Sequence, residues 1–196
     1  MKVLALELSS SVGSVALRDR GGDQLKVFPA DRKDSGLFYE NLSAILESCG
    51  APETIVVGLG PGSYAGVRIA IATAIGLRAA SGAHLFGLPS ICAFELEEYL
   101  VVGDARRNSF FFARVADGTC VEGPILAIES EVRAFLGARP DLPAVATQAL
   151  PQFERVCIAH PSALRMAELA LRVEGEGEEM LEPIYLREPH ITTASR

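Results

Sequence analysis

Gly58-Leu-Gly-Pro-Gly-Ser-Tyr-Ala-Gly-Val-Arg68 follows a β-branched run, Ile55–Leu59, and opens a small-residue segment reaching about Ala80. A glycine turn that feeds a helix N-terminus offers free backbone N–H groups to an anion. Gly60, Gly62 and Ala65 also satisfy the G-x-G-x-x-[G/A] spacing of dinucleotide binders. That fingerprint needs an acidic residue at the end of the next strand to hold a ribose, and His84–Pro89 supplies none. No Gly-Lys-[Ser/Thr] follows, so a P-loop is excluded. The other reading of Gly60, Gly62 and Ser63 is structural: the glycines allow a sharp strand-to-helix turn and close packing. The helix beyond carries two ridges at i, i+4 spacing, Gly66/Ala70/Ala74 and Ala72/Gly76/Ala80, with Val67, Ile69, Ile71, Ile75 and Leu77 between them. Such a helix is buried on most faces. It is either sandwiched within its own domain or meets a partner chain.

Working outward, Met1–Leu8 and Val12–Asp19 read as strands joined by Ser9-Ser10-Ser11, and Gln24–Phe28 as a third. Asp34 or Ser35 can cap a helix whose apolar positions Phe38, Leu42, Ile45, Leu46 and Cys49 recur at helical spacing, with Gly50 ending it. His84–Gly87 predicts another strand, and Ser90 a helix running through Glu97. The second half restarts with strands at Leu100–Asp104, Ser109–Ala116 and Thr119–Glu122, the last two joined by Ala116-Asp117-Gly118-Thr119. A helix at Ser130–Gly137, a strand at Ala144–Thr147 and a helix at Pro161–Val173 follow. Both halves thus read strand, strand, strand, helix, strand, helix. An acidic linker is expected over 174–182, and Pro183–Arg187 as a segment that docks back.

The 196 residues are 49% hydrophobic and 22% charged, which excludes wholesale disorder. The longest uncharged run, Ala79–Phe94, is broken by Gly82, Gly87 and Pro89, so no membrane span is expected. Glu7 cuts short the apolar stretch Val3–Leu6, so no signal peptide is expected, and the setting predicted is the cytoplasm. Eighteen basic against 25 acidic residues leave a charge of −7, a poor balance for gripping nucleic acid alone. Cys49, Cys92, Cys120 and Cys157 form no C-x-x-C and are expected as buried free thiols.

Ser9, Ser10 and Gly13 in the first hairpin are candidate phosphate contacts, with Glu7 the nearest carboxylate, although a serine-rich hairpin can equally be a plain turn. His84, His160 and His190 never pair as H-x-x-x-H, and no metal site is expected. Asp104-Ala105-Arg106-Arg107 reads as a local ion pair and turn. No catalytic set assembles.

Gly60–Arg68 resembles the G-P-G-S-[FY]-[TA]-G-[LV]-R signature of the TsaB family of bacterial tRNA threonylcarbamoyladenosine biosynthesis proteins. Val3–Leu17 is similar to that family's opening hairpin, Val102–Arg107 to its I-D-A-R strand end, and Pro183–Arg187 to its closing P-x-Y-L-R. The chain departs from the pattern at Glu7, usually Asp, at Lys33-Asp34-Ser35, which lacks a His, and at Ala70, often Gly. The resemblance implies an α/β fold of two ribonuclease-H-like halves (actin-like, ASKHA), each a mixed sheet flanked by helices, spanning 1–98 and 99–196. It implies a non-catalytic scaffold without a cofactor that pairs with a TsaD-like catalytic paralogue and works with a TsaE-like ATPase. The complex adds threonylcarbamoyl to the tRNA adenosine next to the anticodon, so tRNA is met only through the complex. In isolation a homodimer is expected, through Leu42, Ile45, Gly66, Val67, Ala70, Ile71 and Ala74. The rival reading is an actin-fold ATP-dependent kinase or a metallopeptidase-like enzyme.

Overall fold

The computed structural model describes residues 1–30, 35–172 and 181–186. Lys33, the cap expected at Asp34, the stretch 174–180, Arg187 and His190 lie outside the described residues. Strands β1 (Val3–Glu7), β2 (Val12–Asp19) and β3 (Gly22–Pro29) form an antiparallel meander, followed by α1 (Gly36–Cys49), β4 (Thr54–Gly58), α2 (Tyr64–Ser81) and β5 (His84–Leu88). β4 pairs parallel with β1, and β5 parallel with β4, in the order β3-β2-β1-β4-β5. Parallel neighbours require a crossover, which α2 supplies between β4 and β5.

The second half repeats the scheme with β6 (Glu98–Asp104), β7 (Phe110–Ala116), β8 (Thr119–Ala127), α3 (Glu129–Gly137), β9 (Ala144–Ala146), β10 (Val156–Ile158) and α4 (Ala163–Ala170). Its sheet runs β8-β7-β6-β9-β10, with β9 and β10 parallel to β6. The recurrence expected from the sequence is therefore present, in a trimmed form. Between β9 and β10, where the first half places an 18-residue helix, the chain makes only turns. The Arg155 guanidinium fills that gap by donating to the carbonyls of Leu136 and Arg139 at the end of α3, 2.7 and 3.1 Å away.

Alternation along β1 divides the core. Leu4 and Leu6 face α1 and α2 with Val15, Leu17, Ile55 and Val57. Val3 and Ala5 face the other way, with Ala16 and Val56, and are covered by Ala163, Met166, Ala167 and Ala170 of α4. A helix late in the chain thus closes the first sheet. Ala163 donates its N–H to Ser14 Oγ at 2.9 Å, and Arg18 pairs with Glu168 at 2.8 Å. Leu169 of α4 reaches the second sheet, packing with Tyr99, Val101 and Val115. α3 covers that sheet's far face through Val132, Phe135 and Leu136.

Three expectations are corrected. The helix predicted from Ser90 to Glu97 is one 3₁₀ turn, Ser90–Cys92. The Tyr99 hydroxyl donates to Ile91 O at 2.8 Å, taking the carbonyl that a longer helix would have used for its next N–H. β8 runs past Glu122 to Ala127, carried around Gly123 at φ 87° by a register shift. Among the cysteines, Cys92 is buried, but Cys120 is half-buried and Cys157 exposed on its edge strand, all free thiols.

Candidate functional site

The ends of β1 and β4 meet the start of α2. Glu7, the last residue of β1, is fully buried, and its Oε1 accepts the Ser9 N–H at 2.6 Å. Oε2 completes no hydrogen bond of good geometry. Burial pushes the carboxyl above its ordinary value of 4.5, moderated by the nearby Ser9 and Ser90 hydroxyls and the Ser9 N–H. A Cβ on Gly58 would lie 2.0 Å from Oε2, so the carboxyl lies against bare backbone. Gly60 and Ser90 exchange two bonds, Gly60 N–H to Ser90 Oγ at 3.0 Å and Ser90 N–H to Gly60 O at 2.8 Å.

A buried acid whose charged form is penalised stabilises the fold fully below pH 4.5 and loses that contribution as pH rises through the raised folded value. Glu7→Gln removes this term. Denaturant unfolding across pH 4 to 8 is expected to show the stability of the Gln protein, relative to the parent, growing as pH rises. Parallel profiles would mean that Glu7 titrates as if in water.

The glycine turn is closed by the chain itself. Ser9 O accepts the Ser63 N–H at 2.7 Å, and a Cβ at Gly62 would stand 2.1 Å from that oxygen. A Cβ at Gly66 would stand 2.0 Å from Leu8 O. Carbonyls of the first hairpin therefore lie against the positive end of α2, where an anion would otherwise sit. Ser63 caps the helix, accepting the Gly66 N–H at 3.3 Å. Gly60, at φ 85°, makes the turn.

The first hairpin borders a cleft of about 420 Å³ between the two halves. Ser9, Ser10 and Ser11 line it, whereas Gly13 is turned into the first core, where a Cβ would meet the Phe28 ring at 2.6 Å. Ser10 Oγ donates to Val12 O at 2.7 Å and lies 3.1 Å from His160 Nδ1, linking the hairpin to the loop before α4. Burial lowers the His160 value below 6.5, which favours the neutral ring. Across the cleft, the β6–β7 turn places Arg106, Arg107 and Asn108 at φ 62°, 55° and 56°. Asp104 Oδ1 accepts the Arg106 backbone N–H at 2.6 Å, so the expected ion pair is instead a side-chain cap on the turn.

The residues expected to form a partner face lie inside the first half. Leu42, Ile45, Val67, Ala70, Ile71 and Ala74 are all in the first half's own core, and Gly66 is pressed on Leu8. The outward side of α2 carries the second ridge instead, Ala72 and Gly76 with Arg68 and Ile75, beside the exposed Tyr39 of α1. Arg68, four residues before Ala72, was the signal that could have distinguished the two ridges.

The closing segment docks on this region. Ile184 donates its N–H to Leu59 O at 2.8 Å, and the Tyr185 ring stacks on Tyr64 at 5.3 Å, with the Arg68 guanidinium 5.0 Å from the Tyr64 centroid. Leu181 joins the first core and Leu186 the second.

Two five-stranded mixed sheets of the same strand order, with a cleft between them, place this chain in the actin-like class of paired ribonuclease-H-like halves. More particularly, it has the fold of YeaZ from Pseudomonas aeruginosa, at a TM-score of 0.75 and 20% identity, over 94% of this chain and 100% of that one. A second P. aeruginosa structure, described as an uncharacterized protein with similarity to peptidase YeaZ, gives a TM-score of 0.75 and 22% identity over 95% and 99%. In sequence, an uncharacterized protein of Mycobacterium tuberculosis is 32% identical over 145 residues, 70% of this chain. One of Mycobacterium leprae is 36% identical over 83 residues, 41% of this chain and 23% of that one. The match spans 65% of the M. tuberculosis protein's length. No family model matches the sequence. Among the described residues, no group of three or more His, Cys, Asp or Glu is placed to hold a metal, and no helix is long and apolar enough to cross a membrane.

Proposed function

We propose that this chain is a TsaB-type, non-catalytic subunit that pairs with a TsaD-like transferase and works with a TsaE-like ATPase to put threonylcarbamoyl on tRNA. The observation that carries the reading is the meeting of two of the TsaB-like stretches. Pro183–Leu186 lies against Leu59–Tyr64 through the Ile184–Leu59 bond and the Tyr185–Tyr64 stack. These stretches are more than 100 residues apart in sequence and form one unit at the base of α2. Its outward face, Arg68, Ala72, Ile75 and Gly76, is where the catalytic partner docks, since small side chains let a facing helix approach closely.

Co-purification with a TsaD-like paralogue tests this, with Ala72→Arg as the decisive variant. A guanidinium at an exposed helix position changes stability by about 0.5 kcal/mol or less, so circular dichroism and melting stay those of the parent while capture is lost. Capture that survives Ala72→Arg would move the surface elsewhere. A parent chain that captures no paralogue would overturn the reading itself.

A further inference from the structure

We propose that β3 is a docking edge for a second copy of this chain, whose own β3 pairs with it antiparallel about a two-fold axis at Leu25. β3 ends the first sheet, and among the described residues no strand lies on its outer side. An edge strand offers a row of unpaired N–H and C=O groups, a template for another strand. The other sheet edges are blunted. β5 and β10 are five and three residues long, and β8 is interrupted by a register shift beside Gly123 and Pro124. β3 runs eight residues in unbroken register with β2.

The hairpin fixes which backbone groups point outward. Asp19 and Gly22 close a two-residue turn and so form a hydrogen-bonded pair. The Ala30 N–H, donating to Ser11 O at 2.9 Å, continues the same alternation at the far end. Asp23, Leu25 and Val27, in the intervening positions, therefore turn N–H and C=O away from β2. Pro29, the next in that row, has no N–H and ends it. Leu25 and Val27 stand opposite Ala16 and Ser14 on the α4 face, 39% and 60% exposed.

Self-pairing has one register that suits these residues. With the axis at Leu25, the two Leu25 side chains face each other and Asp23 faces Val27, so the outward groups of all three residues are bonded. Asp23 is already paired with Arg18 at 3.5 Å and brings no free charge to that contact. On the α1 face Lys26 meets Gln24 of the second copy. An axis at Lys26 would instead set two lysines against each other and oppose Asp23 with Pro29, losing a donor. A strand pair with its flanking side chains is smaller than the roughly 1,600 Å² of a standard interface, so the dimer is reversible and concentration-dependent. It uses the sheet edge and leaves the outward face of α2, over β1, β4 and β5, free for the proposed partner.

Sedimentation equilibrium on the purified full chain, from micromolar to millimolar, tests it. A monomer–dimer equilibrium is expected, with amide exchange at Asp23, Leu25 and Val27 slowing about tenfold where dimer predominates. Leu25→Lys places like charges across the axis and is expected to weaken association about tenfold or more, with the circular dichroism of the parent. Val121→Lys, the same kind of change at an exposed position of the β8 edge, is expected to stay within about twofold. A chain that stays monomeric at millimolar concentration overturns the proposal, and so does a dimer that Leu25→Lys leaves intact. Equal weakening by the two variants overturns it too, since general charge repulsion would then be the cause. In a chain that dimerises, exchange at the three amides that ignores concentration places the contact elsewhere. Loss of paralogue capture by Leu25→Lys in a monomeric chain assigns the edge to that partner instead.

Discussion

Gly66→Ala is expected to lower the thermal midpoint by about 6–12 °C, from a loss of about 3 kcal/mol at roughly 2–4 °C per kcal/mol for a domain of this size. The added methyl would lie 2.0 Å from Leu8 O and 3.2 Å from Ser63 Oγ. A side-chain tip could swing away, but Leu8 O belongs to the backbone of the first hairpin. That hairpin is fixed in turn by the bonds from Ser63 N–H to Ser9 O and from Ser9 N–H to Glu7. Relief requires α2 to move off the sheet, opening the core at Val67 and Ala70. Differential scanning calorimetry reads the effect directly. A midpoint within about 2 °C of the parent would mean that the hairpin yields more easily than its bonding indicates.

Ala70→Arg is expected to prevent folding at 37 °C. Ala70 is 0% exposed, enclosed in the cluster of Leu6, Leu42, Ile45 and Val67. A guanidinium there has neither water nor a carboxylate, and an unpaired buried charge costs several kcal/mol, comparable with the whole stability of a domain. Read from the sequence, the same substitution is a probe of pairing. In the folded chain the proposed pairing is tested instead at Ala72, two positions on and exposed. Soluble expression with native circular dichroism for Ala70→Arg would show that α2 is not seated as described.

The first three strands were legible because each apolar run is bounded by small or polar turn residues, and the recurrence of order across the halves followed from the same punctuation. β10 was not read. Val156-Cys-Ile158 is three residues long, too short to display a period, and its strand character comes from pairing with β9. The helix predicted after Ser90 failed because Ile91, Cys92 and Phe94 are all drawn into one core by tertiary contacts that local capping signals do not encode. At the site, the glycine turn was visible but its purpose was not. Only the position of Leu8 O and Ser9 O decides that Gly62 and Gly66 serve close approach. The contact between Ser10 and His160 joins residues 150 positions apart and leaves no local trace. For the partner face, both ridges of α2 carry small residues, so periodicity alone could not say which one the sheet would claim.

The placement of α4 has a consequence for the order in which the molecule can be completed during synthesis. The face of the first sheet formed by Val3, Ala5, Ala16 and Val56 is made of residues that leave the ribosome roughly 100 residues or more ahead of its cover, Ala163–Ala170. The segment that ties Leu59 to Ile184 emerges later still. At a translation rate of about 5–20 residues per second, the interval between β4 and α4 is on the order of 5–20 seconds, during which that apolar face has no partner from its own chain. A nascent chain halted near residue 98 would carry the first sheet with one side bare. The two halves share an architecture, but the earlier one waits on the later to be finished, and a chaperone that shields apolar sheet surface has a defined place to act in that interval.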